Sequence, residues 1–285
     1  MATARVAAGR VTVAEATLLA SLVWGLLPGL APGGAPAWAA DGGACRSASD
    51  DVWFPVASVT TQGRLLLASG EVARLAWLDT PETVAPGRKA ALDGLLGDAA
   101  PEIRARNGGA RDRWGVLGVV ADVDVKGQCV NVQTWLLGRG LARLRPEAAN
   151  EPAPADLQAW RDAEKAAETA KLALWSEPAY APLPATQPGA ILRQEGRFVI
   201  VEGQVASVNE QTGQTWLNFG SRWSEDMTVS APARIWRMVN RSGLTAARLQ
   251  GGLVRVRGIV ESRGGPMIEL ASPAELEVAE TGSRP

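Results

Sequence analysis

Apolar and polar residues alternate in short runs along the first half of the chain, a pattern that predicts β-strands. Ser69-Gly70 has the form of a hairpin turn, and Asn107-Gly108-Gly109 has the form of a second. Leucines and alanines recur at helical spacing elsewhere. The predicted strands are residues 52–56, 64–68, 72–78, 102–106 and 116–125, and the predicted helices are residues 87–96, 130–137 and 154–174. Five strands wrapped with helices predict a small barrel of mainly β, mixed α+β class.

The alternation of strands returns in the last third of the chain. The predicted strands are residues 198–208, 215–219, 227–230, 253–262 and 267–270, with a helix over 232–240. Five strands with a helix between the third and fourth follow the order of an OB-type barrel, and a generic β-sandwich is the alternative. Valines and arginines alternate over 254–260, so we expect a half-buried strand with Arg255 and Arg257 on its solvated face.

The two predicted barrels are separated by a segment rich in proline. Four prolines fall within residues 176–189, without periodicity, which predicts a stiff linker over 177–190. A structured arm lying across the first domain is the alternative. The chain therefore divides into domains at 40–176 and 191–285.

The N-terminus has the order of a bacterial secretory signal. Arg5 and Arg10 precede an apolar run at 16–27, and small residues before Ala40 predict cleavage after Ala39. An uncleaved N-terminal anchor is the alternative. Because the apolar run is shorter than the roughly 20 residues of a span, we expect a periplasmic or secreted protein with no membrane span after signal removal.

Composition narrows the chemistry. The chain has no histidine and two cysteines, which excludes imidazole acid-base catalysis and a four-thiolate zinc site. With 29 basic and 30 acidic residues the chain has almost no net charge, so any basic surface must be confined to one region of the protein. In an oxidising compartment a Cys45 to Cys129 disulfide is expected, and two unpaired, buried thiols are the alternative.

Two motifs carry a family resemblance. They are Val72-Ala73-Arg74-Leu75-Ala76-Trp77-Leu78-Asp79-Thr80-Pro81-Glu82 and Asp112-Arg113-Trp114-Gly115-Val116. Together with later landmarks such as Gly140-Leu141-Ala142-Arg143, they resemble the staphylococcal-nuclease-like (thermonuclease) family over residues 52–176.

The resemblance implies a calcium-dependent phosphodiesterase that cleaves DNA and RNA on an OB-type barrel. It implies that Asp79 and the backbone carbonyl of Thr80 hold calcium. It further implies that Glu82 activates water and that Arg74 binds phosphate. Oxygen ligands suit calcium and guanidinium groups suit phosphate, so this chemistry needs no histidine.

The chain departs from the family pattern at two positions. Gly63 stands where the family has a second metal aspartate, and Val116 stands where it has a second phosphate arginine. Losing such an arginine typically costs about 1000-fold or more in rate, so little or no hydrolysis is expected.

Other residues are candidates to restore the site. They are Arg64, Arg111 and Arg113 for the phosphate and Asp122 and Asp124 for the metal. The alternative is that Arg111 and Arg113 lie on an exposed turn and that Asp122 and Asp124 lie on a solvated strand face. In the purely structural alternative, the Asp79 turn is kept for backbone hydrogen bonds and Arg74 pairs with Glu82.

The second domain has a local excess of positive charge. Residues 222–263 contain eight arginines against three carboxylates, with Trp216, Phe219, Trp223 and Trp236 nearby. The candidate site for single-stranded DNA or RNA consists of Arg222, Arg234, Arg237, Arg255, Arg257 and Trp216. Core aromatics under a solvated arginine face are the alternative. Residues 217–220 and 264–269 resemble a second barrel found in some bacterial thermonuclease-like proteins.

Three functions remain open at this level. The first is a binding module for nucleic acid or another anionic partner with an incomplete nuclease site and without a cofactor. The second is a weak nuclease that uses calcium as cofactor. The third is a protein-interaction scaffold with a protein partner.

Overall fold

The structure, a computed structural model, describes Cys45 and residues 50–97, 102–106, 109–147, 152–222 and 225–279. All of these residues belong to one compact unit, Ala37–Pro285. The predicted signal, residues 1–39, lies outside the described residues, as do Asn107 and Gly108 of the second predicted turn. Within the described part, no helix is long and apolar enough to cross a membrane.

The fold is α+β and rich in strands, as predicted. The N-terminal half consists of β1 (Val52–Val59), β2 (Leu65–Leu67), β3 (Val72–Leu75), β4 (Leu78–Asp79), α1 (Ala85–Leu96), β5 (Glu102–Ala105), β6 (Ala110–Arg111), β7 (Leu117–Val119), β8 (Ala121–Val125), β9 (Gln128–Asn131), α2 (Val132–Leu137), β10 (Arg143–Leu144) and α3 (Pro154–Thr169).

One sheet organises this half. Its strand order is β6-β7-β3-β2-β1-β5-β8-β9, and β4 pairs separately with β10. Strand β1 pairs with β5 through its first residues and with β2 through its last, so it joins the two parts of the sheet. The core packs beneath, around fully buried Leu65, Leu92, Ile103 and Leu136. Among the described strands the sheet is open at β6 and β9.

Several predicted boundaries differ from the observed ones. Trp77 is buried in a left-handed turn (φ 64°) that breaks the predicted 72–78 strand into β3 and β4. The predicted 130–137 helix begins two residues late because Val130 and Asn131 pair with β8, and Asn131 then caps α2 by accepting a hydrogen bond from Thr134 N. Helix α3 ends at Thr169 rather than 174 and is followed by a 3-10 helix, Ala173–Ser176.

The predicted disulfide is confirmed. Cys45 and Cys129 are bonded, with their Cα atoms 4.7 Å apart and a sequence separation of 84. The bond attaches the chain before β1 to strand β9.

The C-terminal half consists of two further sheets. Its elements are β11 (Leu183–Pro184), α4 (Pro188–Leu192), β12 (Phe198–Gln204), β13 (Ser207–Glu210), β14 (Gln214–Asn218), β15 (Thr228–Pro232), α5 (Ala233–Arg241), α6 (Ala246–Leu249), β16 (Leu253–Ile259), β17 (Glu261–Ser262), β18 (Pro266–Glu269) and β19 (Leu276–Val278). The sheets have the orders β11-β12-β16-β19 and β13-β14-β15-β18-β17.

The proline-rich segment is a structured arm, the second of the two sequence interpretations. Strand β11 pairs in parallel with β12, with Leu183 opposite Val201. Upstream, the hydroxyl groups of Tyr180 and Thr83 lie 2.8 Å apart in a hydrogen bond. The arm therefore contacts both halves.

A buried ion network joins α3 to the C-terminal sheet. Glu164 is fully buried and its Oε2 lies 2.7 Å from Nη1 of Arg257, while Arg255 donates hydrogen bonds of 2.8 and 2.9 Å to Glu168. Arg257 also pairs with Glu277 at 2.8 Å. The expectation that Arg255 and Arg257 lie on a solvated face is therefore wrong, because α3 covers that face of β16.

Candidate functional site

The predicted metal ligand Asp79 is held in an ion pair. It lies opposite Arg143 in the β4–β10 pair, and its Oδ2 accepts hydrogen bonds from Nε (3.0 Å) and Nη2 (2.7 Å) of Arg143. Arg143 is only 6% exposed, and its guanidinium also lies against the rings of Tyr180 and Phe198. One carboxylate oxygen thus receives both hydrogen bonds from an internal cation.

The predicted phosphate ligand Arg74 is paired as well. Its Nη1 and Nη2 donate to the two carboxylate oxygens of Glu147 at 2.5 and 2.8 Å, and its Nε lies 3.6 Å from Asp112. The hydrogen bond from Arg74 to Glu147 is the main cause that raises the pKa of Arg74. The structural alternative that paired Arg74 with Glu82 named the wrong partner.

Glu82 and Thr80 lie on either side of Pro81, after β4. Glu82 starts a 3-10 helix, Glu82–Val84, and its side chain is exposed. Within the described part of the chain that side chain has no ion pair or hydrogen bond. The carbonyl oxygen of Thr80 accepts a long hydrogen bond, 3.5 Å, from Nη2 of Arg88. The structure thus brings Asp79, Thr80 and Glu82 together but leaves Arg74 bound elsewhere.

Arg88 was missed by the sequence analysis. It lies on α1 with its side chain 1% exposed, and it donates hydrogen bonds only to backbone carbonyls. Burial lowers the pKa of Arg88, while Asp79 and Glu82 oppose that shift through their charges. The sequence did hold a signal: Arg88, Leu92 and Leu96 share one helix face, so this arginine stands where the core stripe continues.

The residues present do not fit calcium. Gly63 supplies no carboxylate, the Oδ2 of Asp79 is bound by Arg143, and the carbonyl of Thr80 faces Arg88. Among the described residues, no cluster of three or more carboxylate or thiol groups has metal-binding geometry. Calcium needs six to eight oxygen ligands, so we derive no catalytic step through it.

The residues suggested as replacements for the aspartate and arginine of the resembled family pattern lie in several different surroundings. Asp122 is fully buried and bound by Arg104 (2.5 Å) and Arg106 (2.7 Å), so the expected solvated face for it is wrong. Asp124 is exposed and accepts a hydrogen bond from Gly127 N. Arg111 and Arg113 are exposed as expected, with Arg111 paired to Glu71 and Arg113 stacked on Trp114. Arg64 is exposed as well.

The predicted nucleic-acid-binding residues of the C-terminal half lie in different parts of the structure. Arg234 and Arg237 are exposed on α5, and Arg222 is exposed but paired with Glu225 at 2.9 Å. Trp236 is core and donates to Glu210, Phe219 packs against the core, and Trp223 lies outside the described residues. With Arg255 and Arg257 buried, the six candidates do not form one surface.

Trp216 is half-buried and lines a groove on the β13-β14-β15-β18-β17 sheet. The cavity has a volume of about 520 Å³. It is lined by Asn209, Gln211, Trp216, Asn218, Asp226, Thr228, Arg263, Gly265, Pro266 and Met267. Arg263 is the one arginine in the lining, and Glu261 lies 3.0 Å from it, so the groove has no excess of positive charge.

Comparison with known proteins adds no identification. No protein-family model matches the sequence, and no curated protein matches it.

Proposed function

We propose that the protein is an exported, thermonuclease-like member with two OB-type barrels that binds nucleic acid without efficient hydrolysis. The observation that carries the binding is an exposed arginine face on α5, formed by Arg234, Arg237 and Arg241. At spacings of three and four residues these side chains share one side of the helix, opposite buried Ile235, Trp236 and Val239.

The positive charge of this face is not neutralised by described carboxylates in ion-pair contact. None of the three arginines forms an ion pair with a described residue, whereas Arg222 and Arg263 are each paired with a glutamate. Because unpaired guanidinium groups bind phosphate bidentately, the α5 arginine face favours a polyanion, and single-stranded DNA or RNA is the proposed ligand. The predicted export signal at 1–39 supports a periplasmic or secreted location.

The proposed absence of hydrolysis is supported by the internal ion pairs of Asp79 and Arg74. Asp79 and Arg74, the two groups that the resemblance assigns to metal and phosphate, are each bound by a charged partner within the protein. Releasing either would leave Arg143 or Glu147 without its ion pair, and both of these are partly or fully buried.

The test is salt-dependent binding of a fluorescent 20-nucleotide single-stranded DNA, measured by anisotropy. Affinity should fall as salt rises, and the variant R234Q/R237Q/R241Q should flatten the slope of log K against log salt by about 2. The matched control R193Q/R197Q removes two exposed arginines outside α5 and should leave affinity within a factor of about 2 to 5.

Two outcomes would replace the proposal. No affinity in a folded sample would favour the protein-interaction scaffold. DNA cleavage in millimolar calcium that is lost with a chelator and in Glu82→Ala would favour the weak nuclease.

A further inference from the structure

The Arg88 side chain is a buried cation without a carboxylate bound to it. It is 1% exposed, and no described carboxylate lies within ion-pair distance of its guanidinium. It also lies in the first turns of α1, where the positive end of the helix dipole disfavours a cation. Some other group must therefore stabilise the charge, because an unsolvated buried ion is costly.

Backbone oxygens fill that role. All five guanidinium N–H groups of Arg88 are directed at carbonyl oxygens, which we call the carbonyl cage. Nε and Nη2 donate to Gln62 O (3.2 and 2.7 Å), Nη1 donates to Pro81 O (3.1 Å) and Leu141 O (3.4 Å), and Nη2 also donates to Thr80 O (3.5 Å). The cage comes from three separate chain segments, so the guanidinium also ties them together.

Gly63 is explained by the same side chain. A Cβ built on Gly63 would lie 2.6 Å from Nε and 2.9 Å from Cγ of Arg88. The φ of Gly63, +71°, also disfavours any residue other than glycine at this position. Because five hydrogen bonds fix the guanidinium, Arg88 cannot move aside cheaply. A carboxylate at position 63 and the Arg88 side chain in the cage therefore exclude one another.

We propose that the carbonyl cage is a cation-binding site whose permanent occupant is the guanidinium of Arg88, so that a diffusible hard cation such as Ca²⁺ is excluded. Oxygen donors with the carboxylates of Asp79 and Glu82 nearby are the surroundings that a hard cation prefers. Here the chain supplies that cation covalently. The inference is independent of nucleic-acid binding, since it concerns only the N-terminal half.

The test is chemical rescue in the full chain. Arg88→Ala should lower Tm by about 10 °C, because a buried charged group and its five hydrogen bonds are lost. Adding 10 mM ethylguanidinium should raise the Tm of Arg88→Ala saturably and leave the wild type unchanged. Ethylurea, a neutral molecule of the same shape, should not rescue. Arg237→Ala, an exposed arginine, is the matched control and should respond to neither.

Calcium titration supplies a second readout. The wild type should show no saturable Ca²⁺ binding by calorimetry and no change in Tm with calcium. Sub-millimolar Ca²⁺ binding by the wild type would overturn the proposal, and so would rescue by ethylurea equal to that by ethylguanidinium. If Arg88→Ala does not fold, the comparison of Arg88→Lys with Arg88→Met tests the proposal. The lysine variant should have the higher Tm, and equal or reversed Tm values would overturn the proposal.

Discussion

Replacing Arg257 by methionine perturbs the most deeply buried charges that join the two halves. The Arg257 side chain is 1% exposed, and its guanidinium lies 2.7 Å from Glu164 and 2.8 Å from Glu277. Methionine has a similar length and no charge. In the variant, Glu277 keeps Arg161 at 2.8 Å. Glu164 loses its ion pair with Arg257 and keeps a hydrogen bond from Leu144 N and the weaker attraction of Arg161 and Arg255.

The expected loss of stability follows from the Glu164 carboxylate, which stays buried after its partner is removed. Breaking a buried pair by removing one partner typically destabilises by about 3 to 5 kcal/mol, because the other charge stays buried without its bound partner. At about 2 to 4 °C per kcal/mol for a chain of this size, Tm should fall by about 10 °C. Adding Glu164→Gln removes the stranded charge and keeps an oxygen for Leu144 N, so the double variant should regain about 1 to 2 kcal/mol.

The assay is urea unfolding followed by circular dichroism, with scanning calorimetry to detect separate melting of the two halves. Arg237→Met on α5 is the matched control, since that arginine is exposed and unpaired, and it should change stability by less than about 0.5 kcal/mol. An Arg257→Met variant within about 1 kcal/mol of the wild type would refute the reasoning. A double variant less stable than Arg257→Met would refute it too.

Two further predictions concern a buried carboxyl group and the disulfide. Burial raises the pKa of Glu275 to about 7 despite hydrogen bonds from Ala271 N and Ser272 N. Its stabilising contribution is therefore complete below about pH 4.5 and is lost as pH rises through about 7, by up to roughly 3 kcal/mol. Glu275→Gln should flatten the pH dependence of Tm between pH 5 and 8, and an unchanged profile would contradict this. Reducing the Cys45 to Cys129 bond, which spans 84 positions, should cost about 4 to 5 kcal/mol. The Cys45→Ser/Cys129→Ser variant should melt at the temperature of the reduced wild type and be insensitive to reductant.

Local patterns predicted much of the fold because strands and helices follow from the spacing of apolar residues. The strand content, α1, α3, α5 and the α+β class agree with the structure. The errors lie where long-range contacts override local preference. Trp77 adopts a left-handed turn to enter the core, and β16 is covered on both faces although its sequence alternates.

Local sequence patterns predicted the residues of the candidate site but not their partners. The motif around Asp79 and the departures from the resembled family pattern at Gly63 and Val116 are local and were visible in the sequence. The partners are not local: Asp79 and Arg143 are 64 positions apart, and Arg74 and Glu147 are 73 apart. No pattern of spacing indicates which of the chain's arginines will meet which carboxylate.

The sequence by itself thus determined most of the secondary structure, the single pairing open to its two cysteines and the absence of imidazole chemistry. Only the tertiary structure decided the state of the charges. It buried Arg255 and Arg257 in an ion network and left the arginines of α5 in solvent. It also placed Arg88 in a carbonyl cage. The physical reason is that the free energy of a charge depends on burial and on neighbours from distant segments, and these exist only once the chain has folded.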